Sequence, residues 1–517
     1  MDLLDAAHHP VSLVAAALCL LVLLTCRVLL RRLQLRGGGW PSRGRWGLRP
    51  PVAGTILHML KNFPRLYDYM TEFSRRYRTF RMIGFFRSHI YTVDPANVEY
   101  VLKSNFHNYG KGPYLYDILK DLLGDGIFAV DGEKWNHQRK VASHAFSTRV
   151  LRDYSSVVFR KNATKVAQII SDYATSQQMF DVQGLLMKAA MDSIFEVGFG
   201  ENLDILSGSR EDAYAFAKAF DDASSLTLKR CFDLSWKMKR LLNVGSEAAL
   251  KRNVKVIDGF VYKVIRRRRE QMATRYQSDL MKRADMLSRF LMDSELGAAE
   301  SRDDKYLRDI TLSFILAGKD TTASTLSWFL YMLCKHPVVQ EKIVQEVEEA
   351  TETSRHSPFM QNFTEEALNR MQYLHAALTE TLRLHPIVPM DAKFCFSDDV
   401  LPDGFTVKGG DMVDYQPYPM GRMEALWGAD AEEFRPERWL DEDGKFQPES
   451  PFKFTAFQSG PRICLGKEFA YRQMKILGAT LLHRFTFRLS DEKKVVHYTT
   501  MLTLQIEGGL HIRAYHR

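Results

Sequence analysis

A single cysteine near the C-terminus, Cys464, lies in the most constrained segment of this 517-residue chain. The segment reads FQSGPRICLG from Phe457 to Gly466, and Arg462 stands two residues before the cysteine. Positive charge and backbone amide donors favour a thiolate over a thiol, and glycines let amide groups fold close around the sulfur. Phe457 is placed to shield the sulfur from water, and Gly466 lets a following helix pass beneath a flat macrocycle. This pattern is typical of a cysteine thiolate that ligates haem iron.

Two other interpretations of Cys464 are a small buried hydrophobic residue and a zinc ligand. No second Cys or His stands at zinc-ligand spacing from it, which disfavours zinc. The chain has six scattered cysteines without paired spacing, which argues against a disulfide framework and for a reducing compartment.

The spacing Phe-x-x-Gly-x-Arg-x-Cys-x-Gly resembles the cysteine loop of the cytochrome P-450 superfamily. The resemblance implies haem b as cofactor and Cys464 as its proximal thiolate, pushing electron density toward iron so that dioxygen breaks its O–O bond. It assigns Arg462 to a haem propionate, with Phe457 and Gly466 lining the same pocket. The implied fold is mainly α with minor β: a long central helix over the haem, and small β sheets.

A second informative segment, from about Lys305 to Lys335, is apolar nearly all round and predicts a buried helix. It contains the string AGKDTT from Ala317 to Thr322, where a mid-helix glycine costs about 1 kcal/mol. One interpretation is a packing glycine, Gly318, beside a surface Lys-Asp-Thr edge. The string also resembles the oxygen-activation segment of the same superfamily.

That likeness gives each residue of the segment a role. It assigns a hydrogen bond with dioxygen to Thr321 and proton delivery to Asp320. Ala317 and Gly318 are expected to make room over the haem.

Two more motifs have counterparts in the superfamily. Glu380 and Arg383 are three residues apart on a predicted helix, and Arg438 lies in the string FRPERW, where Trp439 replaces a more common Phe. Such a spacing is a weak signal alone, because exposed pairs contribute little. The resemblance implies that Glu380, Arg383 and Arg438 form a buried structural triad.

The string WNHQR places Trp135 and Arg139 four residues apart, so that both side chains point the same way from a helix. A core tryptophan beside a surface arginine is the alternative. By the resemblance, both bind a haem propionate. Lys393 stands where many members carry a propionate-binding arginine.

The N-terminus predicts a membrane anchor. The chain is largely apolar from Val11 to Cys26 and again from Val28 to Leu30, near the length that a membrane helix needs. Arginines follow, which places the bulk of the protein in the cytosol; a cleaved signal peptide would need a basic start. We therefore expect a membrane anchor (1–36), a Gly/Pro linker (37–54) and a haem-thiolate monooxygenase domain (55–517), single-pass in the endoplasmic reticulum membrane.

Composition adds coarser limits. Hydrophobic content of 45% suffices for a buried core, and the formal charge is +9. The basic run 266–269 lacks aromatic interleaving, so a solvated helix face is favoured over nucleic-acid binding. Strands are predicted at 79–83 and 90–93, between Phe394 and Val413, and between Tyr498 and Ile512. Helical periodicity dominates from 97 to 336.

By the resemblance, the reaction inserts one atom of dioxygen into a C–H bond. No flavin region follows Gly466, so electrons are expected from NADPH through a separate cytochrome P-450 reductase. A basic surface suits an acidic redox partner or an anionic membrane. The candidate basic residues are Lys134, Arg139, Lys140, Lys467, Arg472 and Lys475.

Apolar residues fall where the superfamily lines its substrate cavity, which predicts an apolar substrate reached from membrane lipid. They are Phe314, Leu316, Val388, Met390, Met501 and Leu502. The strings KYLRD from Lys305, AGKDTTASTLSWF and RMEALWGA from Arg422 resemble plant long-chain fatty-acid ω-hydroxylases, especially the branch linked to pollen-wall and cuticle precursors. An in-chain hydroxylase or epoxidase is the nearest alternative. A non-catalytic haem sensor or electron carrier would not need Asp320 and Thr321 in such a helix.

Overall fold

The computed structural model describes residues 56–83, 87–147, 149–208, 210–274, 285–296, 303–353 and 363–517. The predicted anchor and linker, residues 1–36 and 37–54, lie outside these ranges. Within the ranges, no helix has both the length and the apolar character needed to cross a membrane. The described chain divides into a small unit that ends at Phe63 and includes Arg81–His89, and a large unit of Pro64–Phe80 and Ile90–Arg517.

Helices dominate the described chain. They are α1 (Ile56–Lys61), α2 (Leu66–Arg76), α3 (Pro95–Glu99), α4 (Gly112–Leu123), α5 (Gly132–Ser147), α6 (Arg149–Thr175), α7 (Val182–Phe199), α8 (Glu211–Lys229), α9 (Trp236–Leu242), α10 (Gly245–Thr274), α11 (Met286–Leu296), α12 (Asp304–Lys335), α13 (Pro337–Thr351), α14 (Glu365–Arg370), α15 (Gln372–Leu384), α16 (Pro417–Met420), α17 (Glu424–Trp427) and α18 (Lys467–Arg484).

Short strands complete the fold. They are β1 (Thr79–Ile83), β2 (Ser88–Thr92), β3 (Tyr109–Gly110), β4 (Phe180–Asp181), β5 (Asp391–Cys395), β6 (Asp399–Val400), β7 (Thr406–Val407), β8 (Met412–Tyr415), β9 (Phe485–Leu489), β10 (Tyr498–Thr499), β11 (Gln505–Ile506) and β12 (His511–His516). The largest sheet has the order β1-β2-β8-β5-β3, a second sheet has the order β4-β12-β9, and β10-β11 and β6-β7 form two-stranded pairs. Mainly helical structure with small sheets is as predicted.

The long helix α12 lies at the centre of the large unit. Its 32 residues span about 48 Å, and most of its side chains are buried. The Asp303 carboxylate accepts a hydrogen bond from Lys305 N–H at its start, and Pro337 follows its end. Helices α7, α10, α15 and α18 pack against it. The sequence therefore predicted the position and the burial of this helix.

The sheet residues around Lys393 are fixed by antiparallel register. On β5, Lys393 lies opposite Val413 of β8, and Cys395 lies opposite Tyr109 of β3. Glycines lie in the turns between these strands, with Gly404 and Gly410 both at positive φ. This register brings the segment after α15 beside the chain that precedes α4.

The basic run of α10 is not simply a solvated face. Arg267 pairs with Glu201 and Arg269 with Asp304, while Arg268 is nearly buried against Asp285. The prediction of full solvation is therefore wrong for Arg268, because its carboxylate partner comes from a segment that periodicity does not reveal.

Candidate haem site

The loop that carries Cys464 is closed by its own backbone. Cys464 N–H donates to Phe457 O at 2.8 Å, and Ile463 N–H donates to Gly460 O at 3.0 Å. Gly460 has a φ of +66°, and a Cβ atom there would lie 2.0 Å from Leu102 O. Only glycine fits this position, so the loop presents Cys464 in one arrangement at the start of α18.

The surroundings of the Cys464 thiol act on its pKa in opposite directions. The surface of Cys464 is accessible, but many protein atoms lie around it at longer range. They exclude water from its neighbourhood, and this raises the pKa of the thiol. The Gly466 amide and the charges of Arg139 and Lys467 lower that pKa. A metal ion on the sulfur would supply the remaining stabilisation, because a coordinated thiol loses its proton. Among the described residues, no three His, Cys, Asp or Glu side chains cluster as a metal site.

Phe457 and Gly466 flank the sulfur. A Cβ atom at Gly466 would lie 3.9 Å from both Cys464 Sγ and Phe146 Cε1, so the glycine keeps the space beside the sulfur open. The Phe457 ring packs against Tyr471, with ring centres 5.2 Å apart. The shielding role of Phe457 and the clearance role of Gly466 stay predictions.

Arg462 lies deep beside α5. Its guanidinium pairs with Asp131, donates to Val130 O at 3.1 Å and lies 4.4 Å from the centre of the Trp135 ring. Among the described residues, its buried Nε has no hydrogen-bond acceptor. A buried guanidinium N–H without a partner is costly, so an additional anionic acceptor would complete this group.

Lys393 is buried in a second ion-pair cluster. Its Nζ lies 2.6 Å from Asp391 Oδ2, and Lys111 Nζ lies 3.4 Å from Asp391 Oδ1. Tyr415 and Gln458 also donate to Asp391. Burial lowers the pKa of Lys393 to about 7 against the attraction of Asp391. Burial alone would raise the pKa of Asp391, but Lys111 and Lys393 hold it well below its usual range.

These groups fit haem b in charge as well as in type. Four basic groups and two carboxylates leave net positive charge beside the cysteine loop, although Lys393 is only partly charged near pH 7, and haem b carries two propionates. The six groups are Lys111, Arg139, Lys393, Arg462, Asp131 and Asp391. Haem b is flat and has a central metal and two propionates. It therefore matches this set of groups, which contains a thiol, the unpaired Arg462 Nε and an excess of positive charge.

On α12, Thr321 and Ala317 lie one turn apart. The Thr321 hydroxyl donates to Ala317 O, and both residues are partly exposed on a helix that is otherwise largely buried. Thr325 in turn donates to Thr321 O at 2.7 Å. A threonine that bonds back to a carbonyl competes with the helix ladder, but α12 continues as unbroken α-helix through this turn, from Asp304 to Lys335.

Gly318 faces a neighbouring helix. A Cβ atom there would lie 2.6 Å from Ile194 Cδ1 and 2.7 Å from Ile194 Cγ1 on α7. The glycine therefore allows α12 to approach α7 closely. Helix packing explains Gly318, whereas Ala317 and Thr321 share the more open face.

We expect Gly318→Ala to destabilise the fold by about 1–2 kcal/mol, because overpacking outweighs the better helix propensity of alanine. Gly259→Ala on α10 is the matched control, since no atom lies within 4 Å of its added Cβ. Denaturant unfolding measures both variants. The double variant Gly318→Ala/Ile194→Val should be less destabilised than the sum of its parts; strict additivity would contradict the packing explanation.

Lys319 and Asp320 are buried, so the interpretation as a surface edge is wrong for both. Their relative exposures are 4% and 6%. Lys319 pairs with Asp320 and with Asp221 of α8. Asp221 belongs to α8, a separate helix, so the sequence of α12 alone did not reveal this partner of Lys319.

Glu380, Arg383 and Arg438 lie together, as the resemblance implied. Arg383 donates twice to Glu380, with both distances 2.7 Å, and Arg438 Nε lies 3.4 Å from Glu380 Oε1. Glu380 also accepts from Trp439 Nε1 at 2.9 Å, so the unusual tryptophan contributes a donor. Glu380 and Arg383 have fully buried side chains, which makes this network structural.

The candidate substrate residues divide into groups. Met501 and Leu502 line one cleft with Leu316 and Asp320. Leu504 N–H donates to Ile387 O at 2.9 Å, which brings their loop beside the segment of Val388 and Met390.

Phe314 lies elsewhere. Its ring packs between those of Phe146 and Phe290, with ring centres 6.0 and 5.8 Å away, and it is buried. It contributes to an aromatic cluster, and it is absent from the residues that line the cleft of Leu502.

The predicted basic surface loses two members. Lys475 is buried and donates to Leu368 O at 2.9 Å, and Arg472 pairs with Glu365. Lys134 and Lys140 remain exposed, although Lys134 pairs with Asp125. Helix α18 turns Lys475 inward because that face packs against other helices, so this residue is unavailable to a redox partner.

Sequence reasoning missed Lys111, Asp131, Asp391 and Asp221. Asp131 accepts hydrogen bonds from the backbone amides of Lys111 and Gly112, some twenty residues away in sequence. Asp391 accepts a hydrogen bond from Tyr415 on the neighbouring strand β8. No local signal marks them, apart from the position of Asp391 two residues before Lys393.

Comparison with known proteins identifies the family. The family model described as Cytochrome P450 matches residues 47–512. This chain belongs to the cytochrome P450 family. Cytochrome P450 704C1 of Pinus taeda is 50% identical over 481 residues, covering 90% of this chain and 92% of that protein. Cytochrome P450 704B1 of Arabidopsis thaliana is 43% identical over 514 residues (92% and 97%), and Cytochrome P450 94A1 of Vicia sativa is 36% identical over 475 residues (89% and 88%).

Family membership confirms the predicted class of enzyme. This cytochrome P450 is a monooxygenase that uses haem b, dioxygen and electrons from a reductase. Its substrates are apolar.

Proposed function

We propose that this cytochrome P450 hydroxylates long-chain fatty acids, mainly at the terminal carbon, and supplies precursors of lipid polymers such as pollen wall or cuticle. The observation that supports the substrate class is a group of apolar side chains, Met187, Leu316, Met501 and Leu502, in one part of the cleft beside α12; polar residues line the rest of it. The likeness of the KYLRD, AGKDTTASTLSWF and RMEALWGA strings to plant ω-hydroxylases supports the regiochemistry.

The proposal assigns a role to each group of the site. Cys464 would be the thiolate ligand of the haem iron, and Trp135, Arg139, Lys393 and Arg462 would hold the propionates. When bound, the haem would activate dioxygen for insertion of one oxygen atom into a C–H bond, with electrons that come from NADPH through the reductase.

On the substrate side, Asp320 delivers a proton. The Thr321 hydroxyl directs that proton through a hydrogen bond. Ala317 leaves room beside them. A buried carboxylate that is the sequence neighbour of a partly exposed hydroxyl on α12 suits this task, since proton transfer requires both groups at fixed positions.

The cellular setting follows from the sequence. We propose that residues 1–36 anchor the enzyme in the endoplasmic reticulum membrane, that 37–54 form a linker, and that the catalytic part lies in the cytosol. NADPH–cytochrome P450 reductase is the expected electron donor. An apolar substrate would then partition from membrane lipid into the cleft.

Terminal selectivity requires the protein to restrict which carbon reaches the iron, because the methyl C–H bond is stronger than the neighbouring methylene bond. Tenfold selectivity needs a restriction that exceeds this bias by about 1.4 kcal/mol. Leu502, 40% exposed beside the cleft, is placed to crowd it. We therefore expect Leu502→Ala to raise the in-chain share of products.

The experiment supplies microsomes with reductase, NADPH and a panel of medium- to very-long-chain fatty acids, and locates product hydroxyls by mass spectrometry. Leu241→Ala, at an exposed leucine of α9, is the matched control and should leave the product ratio unchanged. Mostly in-chain alcohols or epoxides from the wild type would refute ω-hydroxylation. Oxidation of another apolar compound with no fatty-acid turnover would refute the substrate class.

A further inference from the structure

Three ionisable side chains form a chain from the protein surface to α12. The Lys319 ammonium pairs with Asp221 of α8 and lies 3.1 Å from Asp320 Oδ1. The Asp221 side chain is 54% exposed, whereas those of Lys319 and Asp320 are 5% and 8% exposed. Asp221 is therefore the member that meets solvent, and Asp320 is the buried member next to Thr321.

The cluster has one negative charge in surplus, because two carboxylates share one ammonium. The Asp221 side chain is 54% exposed, but the protein atoms around it at longer range raise its pKa, and the charges of Asp320 and Asp222 raise it further against the attraction of Lys319. Asp181, at the start of α7, lines the same cleft and adds another negative charge. Crowded carboxylates of this kind favour binding a proton.

The cleft between these groups has room for water. Asp221, Ser224, Lys319 and Asp320 all line it, and it encloses about 200 Å³. Ser224 Oγ is buried and has no hydrogen-bond partner within the described part of the chain, while Asp320 Oδ1 contacts Lys319 Nζ at 3.1 Å. The Ser224 hydroxyl and the carboxylates that line the same cleft are suitable partners for bridging water.

We propose that Asp221 is the entry point through which protons reach Asp320. This inference rests on the proposed role of Asp320 in the monooxygenase reaction. A proton from bulk water binds the Asp221 carboxylate, passes through water in the cleft to the Asp320 carboxylate, and leaves Asp221 ionised again. Lys319 remains an ammonium ion that holds both carboxylates in place, and no electrons move. Each dioxygen that is activated consumes two protons, so the carboxylates of Asp221 and Asp320 must be protonated again during every turnover.

The test uses full-length holoenzyme in membranes with its reductase, and measures product formed per NADPH consumed. We expect Asp221→Asn to lower this coupling ratio by on the order of tenfold, with more peroxide released and a larger solvent isotope effect. Asp221→Glu should restore most of the coupling. Glu211→Gln, which neutralises another exposed carboxylate on α8, is the matched control and should behave as wild type.

A second measurement does not depend on turnover. Infrared difference spectra of the resting enzyme, recorded while pH is varied, should show a protonated carboxylic acid band that Asp221→Asn removes and Glu211→Gln keeps. Unchanged coupling in Asp221→Asn, or an infrared band that persists in it, would overturn the entry role. If Thr321→Ala also left coupling unchanged, the failure would instead lie with the proposed roles on α12.

Discussion

Cys464→His is expected to retain bound haem and to lose the red-shifted Soret band of the reduced, carbon monoxide-bound protein. That band requires a thiolate opposite carbon monoxide, and an imidazole ligates iron through nitrogen instead. The loop keeps its closing hydrogen bonds, because both involve the backbone of Cys464 and its neighbours. Monooxygenase activity should fall to background.

Cys334→Ala is the control for this experiment, since it removes a different partly buried cysteine, on α12. It should keep the band at full intensity. Persistence of the red-shifted band in Cys464→His would exclude Cys464 as the axial ligand and would direct the search to another cysteine.

Glu380→Ala is expected to lower the free energy of unfolding by about 3–5 kcal/mol, because it leaves the Arg383 guanidinium buried without its charge partner. The total free energy of unfolding of a folded protein is only about 5–15 kcal/mol, so little haem-loaded enzyme should accumulate. Arg438 and Trp439 Nε1 would lose an acceptor as well. Denaturant unfolding and haem content measure the effect.

Asp117→Ala provides a matched comparison for Glu380. Asp117 also pairs with a residue three positions along a helix, Lys120, but at a partly exposed site. Its removal should cost no more than about 1 kcal/mol. A Glu380→Ala protein as stable as Asp117→Ala would show that burial adds nothing to the triad.

Local pattern was sufficient for several parts of this molecule. The apolar run after Lys305 predicted α12, and the structure places it at Asp304–Lys335. The string TFRMI predicted β1. The cysteine loop indicated the haem-thiolate class, because all of its motif residues lie within ten consecutive positions.

Other features depended on the path of the chain. The sequence left open a surface edge at Lys319 and Asp320, which are buried because Asp221 lies opposite on α8. Gly318 faces Ile194 rather than the open side of α12.

Periodicity and spacing report neighbours within one or two helical turns. The partners that set charge and burial at this site are much farther apart in sequence: Asp221 is 98 residues from Lys319, and Asp131 is 331 residues from Arg462. A motif therefore specifies which chemistry a segment supports. The packing of helices from distant parts of the chain decides which of its side chains are buried, paired or open to a ligand.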